Sequence, residues 1–295
     1  MECRLMRVCL ALLFGLLVAA PGAAQAGMPV TVKEKCAVGG ESFDYTTTAS
    51  YSTFGARPDG KPYGSWTFPL ALPVCPTNGL VMYREFSEDE IARLPDLLAS
   101  PEFVALRPAE TPYYRAAWLA KALDPKAADR PWLLLDASWE ADTDPVRKAR
   151  YQAEFIAAAT SAPAEPASLE WLALQARAIN AQRELSRFDE AAAALKALPR
   201  DALTATSAAG DPAVAEQDDR QRAAWRQIIA DLERTIARRD PSSEPLDMIP
   251  KNVAAAICVG VVDDRPPRDD PYCQSPALAD LIRQFRGRKA ATKRP

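Results

Sequence analysis

The 295-residue chain contains no histidine. Without imidazole, nucleophile activation by a Ser-His-Asp or Cys-His arrangement is excluded, and so is metal catalysis built on histidine ligands. No nucleophile motif and no phosphate-cradling glycine loop replaces them. An excess of basic charge is missing too. The formal net charge is −3, which argues against a nucleic-acid binder. Beyond the first residues there is no apolar run of the roughly 20 residues that a membrane-spanning helix needs. Carboxylates are plentiful, among them Glu41, Asp44, Asp59, Glu85 and Glu110. Nothing in their spacing marks an acid–base pair of the kind glycosidases use.

What is present begins with an export pattern. Arg4 and Arg7 precede an apolar run from Val8 to Ala20, and Pro21-Gly22 breaks it before the small residues Ala24-Gln25-Ala26. This reads as a secretory signal peptide over residues 1–26, cleaved after Ala26. No cysteine follows the cleavage site, which argues against a lipid anchor. The expected location is periplasmic or secreted. Of six cysteines, Cys3 and Cys9 leave with the signal, so Cys36, Cys75, Cys258 and Cys273 remain. An even number in an oxidising compartment points to disulfides. Three pairings stay open, and the near one is preferred because each pair occupies its own region.

The first two of these cysteines open short segments that look like the halves of a zinc ribbon. Cys36-Ala37-Val38-Gly39-Gly40 and Cys75-Pro76-Thr77-Asn78-Gly79 both follow a Cys-Pro-x-Cys-Gly knuckle. In each, the first Cys and the final Gly remain, while Gly39 and Asn78 stand at the second ligand position. Structural zinc takes four Cys or His ligands, so the expectation is a metal-free knuckle pair with no cofactor. Two sulfurs on a tetrahedral zinc lie roughly 3.8 Å apart. A small backbone adjustment closes them to the disulfide length of about 2.05 Å. By the loop-entropy argument, the first loop contributes about 4 kcal/mol and the Cys258–Cys273 loop about 3.

Between the knuckles the chain reads as β-rich. Val30-Thr31-Val32, Phe43 to Thr48 and Leu80-Val81-Met82-Tyr83 have strand composition. Arg57-Pro58-Asp59-Gly60 has turn chemistry, with Pro pre-setting φ and Gly accepting positive φ. Tyr51, Phe54, Tyr63, Trp66 and Phe68 surround that turn, either as a small aromatic core or as a recognition surface. Helices follow. Ser87 and Glu90 form a capping box, and Pro95 is expected to split or kink the helix they open. Ser100-Pro101, Thr111-Pro112, Asp144-Pro145 and Ser275-Pro276 each place a capping residue before Pro at a helix start. The punctuation predicts helices near 112–123, 131–140, 145–160, 168–185, 188–198 and 213–239. Residues 253–262 read as a strand or a short helix. Pro250 and Gly260 favour a helical hairpin stapled by Cys258–Cys273.

The stretch from Leu169-Glu170-Trp171 through Arg187-Phe188-Asp189-Glu190-Ala191 to Leu198-Pro199 resembles a tetratricopeptide unit. Ser186 stands where the turn usually carries Gly. A second degenerate unit lies around Tyr114 to Trp118 and Trp132 to Trp139. The order of the whole resembles an uncharacterised bacterial family with an N-terminal zinc ribbon followed by tetratricopeptide-like helices. The expected architecture is mainly α. It comprises a small disulfide-stapled β-ribbon domain (27–85), a helical array (86–240), a stapled C-terminal hairpin (241–287) and a basic tail (288–295).

That resemblance implies an exported, non-enzymatic binding or scaffold protein that recognises a protein or peptide partner. Tyr114, Trp118, Gln175 and Asn180 are the expected contact residues, and Gln175 and Asn180 are the better probes because they contribute little to packing. Trp171 reads as core or as concave surface, with core preferred. The alternative is a carboxylate-dependent cell-wall or glycan hydrolase, or a carbohydrate-binding module. Both alternatives use a ligand loop of Tyr51, Arg57, Asp59, Tyr63 and Trp66. The tail, rich in Arg and Lys, caps the last helix favourably and offers contact to an anionic surface.

Overall fold

The computed structural model describes residues 27–207, 211–261 and 266–292. The expected signal peptide, Cys3 and Cys9, and the tail residues Lys293 and Arg294 lie outside them. Alternation of side chains shapes the start. Strands β1 (Met28–Lys35) and β2 (Ser42–Ser50) pair antiparallel, with Val32 opposite Tyr45 and Glu34 opposite Phe43. The first knuckle is their turn, where the Cys36 N–H donates to the Glu41 carbonyl at 2.8 Å. A second hairpin joins β3 (Thr53–Ala56) and β4 (Pro62–Gly64) across the expected Arg57–Gly60 turn.

The knuckles face each other. Cys36 pairs with Cys75, with Cα atoms 5.7 Å apart. Asn78, at a vacated ligand position, donates from Nδ2 to the Val38 carbonyl at 3.1 Å and accepts from the Leu80 N–H at 2.9 Å. Glu41 receives the Thr77 N–H at 3.2 Å. Among the described residues no group of three or more His, Cys, Asp or Glu side chains is arranged to hold a metal ion. Leu80 to Tyr83 does not form the expected strand; only Val81 bridges, to Val74. Leu80 and Val81 instead serve as fully buried core.

The remainder is an array of packed helices. α1 (Glu88–Ala99) starts on the Ser87–Glu90 capping box, as expected. It runs through Pro95 without splitting, because the ring removes one N–H bond while Leu94 and Leu98 on either side stay buried. Next come α2 (Pro101–Ala109), α3 (Pro112–Leu123), α4 (Arg130–Glu140), α5 (Pro145–Thr160), α6 (Leu169–Glu184) and α7 (Phe188–Ala197). A short α8 (Asp201–Thr204) precedes the long α9 (Pro212–Ala237). Ser100, Asp144, Ser168 and Asp211 cap through their side chains, whereas Thr111 and Asp129 do not. Ser186, in place of the usual turn glycine, takes the left-handed conformation with φ 61°. The next N–H, of Arg187, then closes on the Gln182 carbonyl at 2.9 Å, the helix-ending bond that such a residue permits.

Each helix packs on the next, from α3 to α4, α5, α6 and α7, and then α9 packs on α7 and α6. The first core surrounds Leu134, Tyr151 and Phe155, and the second joins Leu172, Ile179, Leu195 and Leu232. The disulfide Cys36–Cys75 lies inside a third core with Leu80, Leu94, Phe103 and Leu119. That core crosses the expected boundary at residue 85, so the knuckles and α1–α3 share one interior.

Residues 251–259 resolve as helix α10 (Lys251–Val259), ended by Gly260 at φ 68°. Cys258 bonds Cys273 with a Cα separation of 5.6 Å. Ser275-Pro276 does not start the last helix as expected. The segment is a 3-10 turn (Pro271–Gln274) and further turns, and α11 (Ala279–Thr292) begins later. The Ser275 hydroxyl accepts the Ala277 N–H at 3.2 Å. α11 continues past the expected tail boundary at 287. Lys289 there donates to the Val259 and Gly260 carbonyls at 2.9 and 3.0 Å, so it caps α10.

Candidate functional site

The β3–β4 turn carries two of the expected ligand-loop residues into the helices. Gly60 donates back to the Arg57 carbonyl at 2.9 Å, holding the turn at φ 94°. Arg57 forks between two carboxylates, Asp59 at 2.6 Å and Asp142 at 2.9 Å. Asp142, just beyond α4, also receives Lys61 at 2.7 Å and Lys148 at 2.8 Å. Burial alone would raise the Asp142 pKa. Arg57 and Lys148 outweigh it and hold the carboxyl below the usual range. Arg57 and Asp59 are therefore not a free ligand loop, since both are buried and fully partnered. The physical reason is that a desolvated charge needs a partner, and Asp142 supplies it from 85 residues away.

The same turn covers one face of the array. Arg177 on α6 lies with its guanidinium 5.5 Å from the Trp132 ring of α4 and 5.2 Å from the Trp225 ring of α9. A Cβ on Gly60 would be strained at φ 94° and would meet Arg177 Nε at 2.6 Å, so glycine suits the loop where it lies. Nearby, the buried Glu184 accepts from Gln152 and from Asn180, both at 2.8 Å. Burial and then Asp59 push its pKa up. Arg183, fully buried, donates to Asn180 Oδ1 at 2.8 Å and to the Ser242 carbonyl at 2.8 Å.

Asp136 sits in the same neighbourhood, one turn before Glu140 on α4. It is half-buried and has no hydrogen-bond partner among the described residues. Burial first, and the Glu140 charge second, push its pKa up to about 7 against the pull of Arg177. The native state thus holds this proton where the unfolded chain, titrating near pH 4, has lost it. Its stabilising share is fully present below about pH 4 and is lost as pH rises through about 7. Asp136→Asn should therefore be near neutral at pH 4 and stabilising by about 1–2 kcal/mol at pH 8. Urea midpoints across that range check it. An equal effect at both ends would show that Asp136 does not titrate as described.

The four expected partner contacts do not converge. Tyr114 stacks on Tyr151 with centroids 4.5 Å apart, donates to Glu154 at 2.8 Å and lies under Arg150. Trp118 packs with Phe103 at 5.5 Å in the knuckle core. Gln175 donates to the Ala159 carbonyl at 2.8 Å beside a small pocket of about 170 Å³ that it shares with Trp171. Asn180 is 1% exposed. It is a structural bridge and not a probe of recognition, because the charges of Arg183 and Glu184 enlist both ends of its amide. Trp171 is half-buried, packed against the second core while lining two pockets.

Two of the clefts among the described residues are large enough to hold a ligand. The larger, of about 620 Å³, lies where the starts of α4 and α6 meet the end of α5. Pro131, Trp132, Ala158, Ala162, Trp171 and Leu174 line it, and Lys126, Arg130, Glu165 and Glu170 bring both signs of charge. The second, of about 490 Å³, lies between the β3–β4 hairpin and α10–α11. It contains the expected Tyr63 and Trp66 together with Phe54, Phe68 and, from α11, Phe285. Tyr63 donates to Glu244 at 2.7 Å, and burial and that carboxylate push its pKa above the normal tyrosine range. Tyr51 stands behind this lining, edge-on to Phe68 at 5.2 Å.

The expected carboxylates are dispersed. Asp44 pairs with Lys33, Glu110 with Arg150, and Glu41 with the second knuckle. The sequence reading missed Trp132, Arg177 and Trp225 as a set, since three separate helices supply them. No protein-family model matches the chain, and no curated protein or solved structure is significantly similar to it.

Proposed function

We propose that the chain is a non-enzymatic binding or scaffold protein of the cell envelope that takes a peptide segment of a partner protein. Two disulfides suit an oxidising compartment. No helix among the described residues is long and apolar enough to cross a membrane. The observation that carries the reading is the Trp132–Trp171 cleft. It combines two large rings, small alanine side chains and a rim of both charge signs. Buried tryptophans ringed by polar groups dominate the energetics of protein interfaces. The face carrying Arg177 is a poorer candidate, because the β3–β4 turn lies on it.

The test is a photo-crosslinking residue placed at Glu170, followed by affinity measurement on the purified adduct partner. Trp171→Ala should weaken that partner by about 2 kcal/mol, roughly thirtyfold. Glu170→Lys should shift affinity while changing stability by less than about 0.5 kcal/mol. If the partner crosslinks equally well from Val146, which is 82% exposed, and ignores both substitutions, recognition lies elsewhere.

A further inference from the structure

We propose that the aromatic cleft between the β3–β4 hairpin and α10–α11 is a saccharide site, taking a short neutral oligosaccharide. This site is separate from the Trp132–Trp171 cleft and shares no lining residue with it. Its volume of about 490 Å³ falls in the range of small-molecule sites. Such sites combine an apolar, aromatic lining with a few placed polar groups, and this one has both parts.

The rings come first. Phe54 is 52% exposed on a four-residue strand, where burial gives no reason for a large apolar side chain. It stacks on Tyr63 with centroids 6.4 Å apart and planes 19° apart, so the two rings lie nearly parallel. Trp66, half-buried, adds a third ring to the lining. Apolar ring faces suit the C–H face of a pyranose, which is flat and weakly solvated. Flanking these rings are the exposed Asn252 amide, the exposed Thr67 hydroxyl and the Trp66 indole N–H, none of which makes a side-chain hydrogen bond among the described residues. An amide and a hydroxyl each donate and accept. Sugar hydroxyls do the same, so each group satisfies both roles of its partner.

Charge selects a neutral ligand. Among the described lining residues the only cation is Lys61, and its Nζ is committed to Asp142 at 2.7 Å and to the Trp139 carbonyl at 3.3 Å. The only anion is Glu244, which already accepts the Tyr63 hydroxyl. A phosphate or carboxylate would therefore find no uncommitted cation among the described lining residues. A proline-rich segment also favours aromatic grooves. It presents carbonyl acceptors and few donors, however, which would leave the acceptor atoms of Asn252 and Thr67 unused.

The experiment titrates the full mature chain with chitotetraose and cellotetraose by calorimetry and tryptophan fluorescence, with a polyproline decapeptide in parallel. Saturable binding of at least one oligosaccharide below about 10 mM is expected. Trp66→Ala should weaken it about tenfold or more. Because Trp66 is half-buried and its ring lies against Gly27, the exposed Phe54→Ala and Asn252→Ala carry the test, each weakening binding about fivefold with unchanged unfolding midpoints. Val146→Ala, at a residue 82% exposed and in neither cleft, should leave the affinity unchanged. The proposal is overturned if neither oligosaccharide binds, if the decapeptide alone binds, or if Phe54→Ala and Asn252→Ala bind as tightly as the parent.

Discussion

Asp59→Ala should destabilise the protein by about 3–5 kcal/mol, among the largest costs expected of any single substitution. Asp59 is 3% exposed and receives both the Arg57 Nε at 3.2 Å and the Lys61 N–H at 3.0 Å. Removing the carboxylate leaves the Arg57 guanidinium, 9% exposed, with Asp142 alone. Asp142 must at the same time serve Lys61 and Lys148. The turn would lose its seat on α4 and α6, and Arg177 would be uncovered. Urea denaturation of Asp59→Ala against the parent measures the effect, and a midpoint that does not move would show that the cluster contributes no net stability. The paired replacement Arg57→Met with Asp59→Leu should recover much of the loss, because it removes both buried charges together.

The cluster also sets the acid limb of stability. The folded-state pKa of Asp142 lies below its unfolded value. Its contribution is therefore present above about pH 4 and is lost as pH falls below that. Asp136 acts in the opposite sense and over a higher range, so the two carboxylates separate along the pH axis.

The second large effect concerns the Cys36–Cys75 bond, whose sequence separation is 39 residues. Replacing both by Ser should cost about 4 kcal/mol in the loop-entropy model, against about 3 for the Cys258–Cys273 pair with its separation of 15. The shared core decides where the damage spreads. Cys36 and Cys75 are 2% and 1% exposed, among Leu94, Phe103 and Leu119. Loss of the bond should therefore loosen α1–α3 along with the knuckles and spare α6–α9, whose core is separate. Hydrogen exchange read along the chain gives the answer. Uniform protection in α1–α3 after the substitution would mean that the knuckles fold apart from the helices.

Much of this protein was legible along the chain because the governing forces are local. A capping side chain before Pro, or a capping box, acts within one helical turn. The starts of α1, α2 and α5 accordingly lie where those residues place them. The knuckle glycines and the closely spaced Cys258 and Cys273 are local signals of the same kind. Ser275-Pro276 carried the same signal and failed, since the preceding turn through the second disulfide takes that segment first. Tertiary packing decided what lies beyond the reach of a turn. It spent Leu80 and Val81 on a core instead of a strand, and it buried Asn180 under Arg183. It set Arg57 on Asp142 and the Gly60 turn over Arg177, and it assembled Trp132 with Trp171, and Phe54 with Phe285, into clefts. Burial and charge pairing act between groups that meet only when the chain folds, and no spacing along the sequence encodes which ones will.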